Sequence, residues 1–402
     1  MSISTTDDQY FPVGRNINGY YAFHFFFNLI FWLPIYAIFF LTKNLDFASI
    51  LILFALSKTS QTLLEIPSGV LADRWGRRPV LMLGSFLHSA GYLCIAFGAD
   101  MYWYLGGMIL HGAGYAFVSG TDSALLYDSL AAAGREEEFK QIEGRAYMYN
   151  LSAAGAGGLV GGILATQDLI LPYIASAISA FLACLVIATC LEPPRHKRGV
   201  TFSRFLGSAA EVIKGNRSIR AAILFSALTF GLLLVCHKFS QPYLQRAEID
   251  IEYFGVIYFV WLIFAALSSN FSNAIEQRIG YRFYFLSLPI LTGAVVVYLG
   301  LYQNWGGAAL VLLYQFVWGS LRPQINHIIN RETASSMRAT ILSTAGFGSS
   351  IVYIIFGPLF GLAADQFDFT VALLYLGIAI LVLGLGAAVY IIRHHPERSR
   401  SG

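Results

Sequence analysis

Residues 69 to 78 read Gly69-Val-Leu-Ala-Asp73-Arg74-Trp-Gly76-Arg77-Arg78, a charged, glycine-punctuated stretch set between two apolar runs, 47 to 71 and 79 to 98. At about 1.5 Å per helical residue, each run is long enough to cross a hydrocarbon core of roughly 30 Å. Outward from this junction such runs recur between residues 19 and 392, and twelve of them account for most of the chain. Composition agrees. Of 402 residues, 56% are hydrophobic and 12% charged, against about 25% charged in a soluble domain, which rules out a water-soluble reading. No window shows the ten-residue alternation of an outer-membrane barrel, and hydrocarbon admits only helices or closed barrels as spanning elements. The expected fold class is an all-α polytopic membrane protein with twelve transmembrane helices.

Positive charge orients those helices. With both termini on one side, that side collects 21 of the 26 Lys and Arg residues. The opposite side has Lys43 and Arg246, while Lys58, Lys238 and Arg322 fall inside runs. The positive-inside bias therefore puts both termini in the cytoplasm of a multi-pass protein of the cell membrane. The opening MSISTTDDQYFPVGRN has no basic n-region or cleavage site, so the first span is expected to act as the insertion signal. Cys94, Cys184, Cys190 and Cys236 all lie within apolar runs without C-x-x-C spacing, so neither a disulfide framework nor a zinc site is expected. No P-loop motif occurs, which leaves an ion gradient or a partner as the energy source. No cofactor, metal or nucleic-acid partner is called for.

The chain repeats itself. Glu276-Gln-Arg278-Ile-Gly280-Tyr-Arg282 follows the eighth run as GVLADRWGRR follows the second, and Arg74 to Arg278 and Gly76 to Gly280 are both offset by 204 residues. Arg145-Ala146 and Arg338-Ala339 open the fifth and eleventh runs, ahead of the small-residue runs SAAGAGG and STAGFG. Two six-helix halves, residues 1–191 and 219–402, joined by a cytoplasmic linker at 192–218 account for both. In helix count, paired halves and orientation the chain resembles the major facilitator superfamily. GVLADRWGRR is similar to that family's signature after the second helix, G-x-L-a-D-r-x-G-r-[rk], at essentially every position. The second copy is degenerate, with Gln277 in place of the acid.

The resemblance implies a monomeric secondary transporter working by alternating access, with a small solute between its halves. Gly69, Asp73, Arg74, Gly76, Arg77 and Arg78 would form a cytoplasmic conformational latch. Physically, Gly69 suits close packing, Gly76 a tight turn, and Asp73 the capping of a helix N-terminus. Gly157-Gly158-Leu-Val-Gly161-Gly162 in the fifth run is similar to the G-P-x-x-G-G signature of exporters, with Gly158 where proline stands and Met108 where exporters carry Arg. Small-residue packing alone accounts for a glycine run equally well.

Ionisable groups at bilayer depth are expensive and mark candidate sites. At about 100° per residue, Lys58, Glu65 and Gly69 share a face of the second span, and His111, Val118 and Asp122 a face of the fourth. Gln315, Arg322 and Asn326 align in the tenth, and Tyr20, His24 and Phe31 in the first. These four stripes suit a central aqueous cavity. Glu65 and Asp122, the most embedded acids, are candidate proton carriers, and Asp122 and Arg322 are a candidate charge-paired gate between the halves. An aromatic first span, with Phe25, Phe26, Phe27 and Trp32, suits an amphipathic cargo exported against protons; it also suits plain packing. Lys58 and Arg322 keep open uptake or exchange of an anionic metabolite or metal chelate. A channel or an intramembrane enzyme finds little support: two related halves in one chain fit rocking better than a selectivity filter or charged rings, and there is no G-x-G-D and no G-x-S-x-G in a span.

Overall fold

The computed structural model describes residues 11–194, 213–333 and 337–394, and among them the only regular secondary structure is helical. Most of the linker expected at 192–218 lies outside the described residues. The helices are α1 (Val13–Asn28), α2 (Tyr36–Thr42), α3 (Phe47–Trp75), α4 (Arg77–Ala96), α5 (Met101–Val118), α6 (Thr121–Ala131), α7 (Phe139–Gln167) and α8 (Leu171–Thr189). After the linker come α9 (Arg217–Arg246), α10 (Phe254–Ile279), α11 (Tyr281–Leu301), α12 (Trp305–Glu332), α13 (Arg338–Gln366) and α14 (Phe369–His394). Among the described residues nine helical segments are long and apolar enough to cross a membrane. The remaining expected spans are the first and fourth, which are broken, and the tenth, whose hydropathy is lowered by Gln315, Arg322, Gln324 and Asn326 on α12.

The breaks differ from the continuous spans expected at 19–42 and 102–127. The first span is split by Leu29–Ile35, which contains Pro34, a residue with no backbone N–H to give a helix. Irregular backbone at membrane depth survives only where protein satisfies it. Here Ser176 Oγ accepts from the Phe31 N–H at 2.9 Å, and Ser179 Oγ donates to the Phe26 carbonyl at 2.7 Å. The fourth span is split at Ser119–Gly120, where Gly120 takes a left-handed conformation at φ 76°.

The repeat has a geometric counterpart. A single glycine joins α3 to α4 and another joins α10 to α11: Gly76 at φ 114°, ψ 160° and Gly280 at φ 85°, ψ 149°. An L side chain rarely adopts such angles, so these matched one-residue turns explain why glycine persists in the degenerate copy while the acid does not.

Contacts sort the chain into two compact units. One holds the described residues up to Leu33, with 60–161 and those of 170–198; the other holds 34–59, 162–169 and the described residues beyond 199. In the first, α4 packs on α5 and α8, and α1 on α8 and α6, around Phe23, Phe27, Leu81, Val118, Leu125 and Ile187. In the second, α9 packs on α13, α14 and α12, and α11 on α14, while the short α2 lies against α9.

Candidate functional site

Two helix ends in the first unit, the end of α1 at Asn28 and the start of α6 at Thr121, determine where its polar side chains meet. Gly120 stops α5 and restarts the chain as α6, so Asp122 falls in the first turn of a new helix, where the exposed N–H groups favour an anion. Its Oδ1 accepts from the Ser123 N–H at 2.8 Å. Its Oδ2 stands 3.5 Å from His24 Nε2 on α1, with 14% and 15% of the His24 and Asp122 side chains exposed. The single helical face expected for His111, Val118 and Asp122 therefore does not form, because the helix ends between the second and third of them.

A third helix closes this cluster. Glu143 on α7 accepts from the Tyr20 hydroxyl at 3.0 Å and from the Ser123 hydroxyl at 2.5 Å. Tyr20 lies edge-on to the His24 ring, centroids 4.4 Å apart. Glu143 is the member that hydropathy passes over: the apolar run begins near residue 146, but the helix begins at Phe139. The signal was present in FKQIEGRAYMYN, which has no proline and only one glycine to delay the helix.

Other expected site residues have surroundings of their own. His111 belongs to a buried aromatic group in the first unit, stacked on His88 at 4.5 Å and edge-on to Trp32 and Tyr115. His88 Nδ1 meets the His111 carbonyl at 3.2 Å, and the Tyr92 hydroxyl meets His88 Nε2 at 2.8 Å, so both imidazole nitrogens of His88 are engaged in packing. Glu65 is exposed and forms no ion pair among the described residues. Lys58 is half-buried on α3, and Arg322 is exposed on α12 just before Pro323. Asp122 thus finds its basic neighbour within its own unit, in His24.

The decapeptide at 69–78 forms a charged junction. Arg77 bridges Asp73 at 2.9 Å and Asp128 at 3.3 Å. The residue that caps α4 is Glu192, not Asp73: its two oxygens accept from the Arg77 and Arg78 N–H groups at 2.7 and 2.8 Å. Arg78 donates to the Ala188 carbonyl at 2.5 Å. Arg74 is exposed at the end of α3, and Gly69, expected at a close approach, has open space where a Cβ would stand. Asp128 turns to Arg77, whereas Arg135 pairs with Glu138 at 2.6 Å.

The glycines of α7 have a defined task. A Cβ on Gly157 would lie 2.7 Å from the Ile30 carbonyl oxygen, and one on Gly161 would overlap the carbonyl of Phe31. Both therefore seat the break in the first span directly on the α7 backbone. Gly158 is buried, and a Cβ on Gly162 would lie 2.9 Å from Gly255 Cα.

Within the second unit, residues 34–59 are tied to α9 and α13. Asp365 on α13 caps α3, accepting from the Phe47 and Ala48 N–H groups at 3.0 and 2.7 Å. Gln241 on α9 accepts from the Ala37 N–H at 2.8 Å, and the Tyr36 hydroxyl donates to the His237 carbonyl. The Lys238 ammonium lies 3.7 Å from the Phe54 ring centroid and 4.3 Å from that of Tyr36, over two aromatic faces.

Comparison with known proteins follows this geometry. The Major Facilitator Superfamily profile matches residues 20–354. Among curated proteins none matches the chain. Among solved structures, the nucleoside transporter NupG aligns over 94% of this chain and 98% of its own at TM-score 0.76 and 14% identity. A bacterial homologue of the human lysosomal transporter Spinster, inward-facing and occupied, aligns over 97% of each chain at TM-score 0.71 and 14% identity. The D-xylose-proton symporter aligns over 96% and 98% at TM-score 0.72 and 13% identity. These identities speak to the fold alone. With its profile match across most of the chain, its helical spans and its matched glycine turns, the chain belongs to the major facilitator superfamily and is a membrane transporter.

Proposed function

We propose that this chain is a proton-coupled secondary transporter that moves a small amphipathic organic solute across the cytoplasmic membrane by alternating access. Its halves are residues 1–191 and 219–402, its termini are cytoplasmic, and His24 with Asp122 is its coupling pair. The carrying observation is the 3.5 Å approach of the His24 imidazole to the Asp122 carboxylate in a largely buried setting. An imidazole and a carboxylate at this distance can gain or lose one proton without a new partner: protonated, they attract as ions; deprotonated, the ring nitrogen is neutral. The pair lies beside two broken spans, the kind of site where transporter helices present ions and substrates with free helix ends.

A proton symporter among the similar structures supports the coupling, since the same fold carries it there. The amphipathic cargo rests on the aromatic composition of the first span, although Phe23, Phe27 and Trp32 are themselves buried in packing. The export direction rests on the likeness of Gly157–Gly162 to the exporter signature; in the structure the same glycines seat the first span, a packing role indifferent to direction.

The test is solute flux in sealed proteoliposomes under an imposed pH gradient, with a nucleoside, a pentose, a dipeptide and a hydrophobic amine as the panel. Wild-type flux of at least one solute should follow the gradient, and Asp122→Asn should uncouple it while leaving solute exchange intact. Flux of every panel member indifferent to the gradient would remove the proton-coupled reading.

A further inference from the structure

We propose that Glu143 is the second carboxylate of the coupling site, and that Glu143 and Asp122 bind protons as one coupled pair across Ser123. This rests on the coupling role given above to Asp122. Ser123 serves both acids: its hydroxyl donates to Glu143 Oε1 at 2.5 Å and its N–H to Asp122 Oδ1 at 2.8 Å. The two carboxylates are thus held on either side of one residue by bonds that fix their directions. Tyr20 donates to the other Glu143 oxygen at 3.0 Å. Among the described residues neither acid has a lysine or arginine partner. Two anions held by one residue, with no lysine or arginine paired to either, repel one another, so a proton bound at either changes the free energy of binding at the other.

The two acids stand on different helices. Glu143 stands four residues from the start of α7, about 6 Å along its axis, so it is the member nearer that helix end. Asp122 is the member beside His24. The step is a plain protonation: a hydronium ion gives its proton to one carboxylate, which becomes a carboxylic acid, water leaves, and the pair goes from two negative charges to one. The groups facing the pair are Tyr20 and His24 from α1, Asp122 from α6 and Glu143 from α7. Asp128, further along α6, is engaged by Arg77 from α4.

The test needs no solute. Purified protein in lipid is titrated while infrared difference spectra follow the protonated-carboxyl C=O band, for wild type, Asp122→Asn and Glu143→Gln. A coupled pair gives wild type two steps that both variants lack, each variant keeping one step of about half the amplitude at a pH matching neither wild-type step. If the step left in Glu143→Gln coincides with a wild-type step, the acids titrate independently and the coupled pair is overturned, with the role of Asp122 untouched. If Asp122→Asn removes no step at all, the coupling role of Asp122 falls and the pair falls with it. Ser123→Ala, which keeps both acids and removes the hydroxyl that Glu143 accepts from, covers the case in which Glu143→Gln does not fold: in a coupled pair both steps should move, and unmoved steps overturn the proposal.

Discussion

Gly161→Ala is the substitution that most directly tests how the first span is held. Ordinary van der Waals contact for a Cβ begins near 3.4 Å. A methyl on Gly157 falls 0.7 Å short of that distance from the Ile30 carbonyl oxygen, which stands at 2.7 Å. One on Gly161 stands 2.7 Å from the Phe31 carbonyl carbon and overlaps its oxygen. Both obstacles are backbone, and the Phe31 N–H is held by Ser176 at 2.9 Å, so the break cannot swing aside without losing a bond. Overpacking of this kind costs about 1 to 3 kcal/mol and more where backbone must move, which places Gly157→Ala within that range and Gly161→Ala at or above about 3 kcal/mol. Gly144 on the same helix is the control: it is exposed and nothing lies within 4 Å of its Cβ, so alanine there should stabilise by up to about 1 kcal/mol through helix propensity. Three of the four cysteines are buried, so a thiol-reactive dye reports thermal unfolding in detergent. Melting temperatures should rank Gly144→Ala highest, then Gly157→Ala, then Gly161→Ala. A Gly161→Ala protein that melts with the Gly144→Ala protein would refute the seating argument.

Three further substitutions address single contacts. Asp365→Ala removes the cap from the Phe47 and Ala48 N–H groups and should cost about 0.5 to 2 kcal/mol, read as faster hydrogen exchange over the first turn of α3; unchanged exchange there would sink the assignment. Glu192→Ala should likewise speed exchange at Arg77 and Arg78 by up to roughly tenfold, whereas Asp73→Ala, which caps nothing, should leave those amides alone. Asp368, between α13 and α14, caps Thr370 at 2.7 Å, and the hydrogen bonds from Thr370, with Arg246 a lesser influence, hold its carboxyl below the usual carboxylate range. A depressed carboxylate contributes stability above its unfolded value and loses it as pH falls through the folded one, so the first turn of α14 should fray in acid. Asp368→Asn should abolish that acid sensitivity, and an identical profile in the variant would count against the cap.

The fold was largely legible because bilayer thickness imposes a length on every span, and hydropathy reads that length directly. What hydropathy does not read is where a helix begins or breaks. Ser119-Gly120-Thr121-Asp122 is a turn-prone dipeptide followed by helix-opening residues, yet apolar neighbours on both sides conceal it within one run. Pro34 is hidden in the same way by Phe31, Trp32, Leu33 and Ile35. Glu143 was obscured by the opposite error, since α7 starts seven residues before its apolar run and carries the acid on regular helix. For the site, helical-face arithmetic placed His24 and Asp122 separately but could not pair them, because one of the two faces assumed a helix that ends at Val118.

These errors share a physical cause that also bears on mechanism. A continuous helix in hydrocarbon satisfies its own backbone and offers a site only its side chains. A broken one supplies helix ends as well, and the first unit has two. The end of α1 leaves carbonyls that Asn28, donating to the His24 carbonyl at 2.8 Å, and Ser179 take up. The start of α6 leaves N–H groups, of which Ser123 gives its own to Asp122. His24 is therefore one turn from the end of one half-helix, and Asp122 one residue inside the start of another. Each break therefore lies within about one helical turn of a member of the pair. Opening at residues 29–35 or at 119–120 would then be felt as a change in the 3.5 Å separation of His24 and Asp122, and binding or losing a proton there would be felt at the breaks. On the coupling role proposed for His24 and Asp122, substitutions at Gly157, which seats the first break, should alter proton coupling as well as stability.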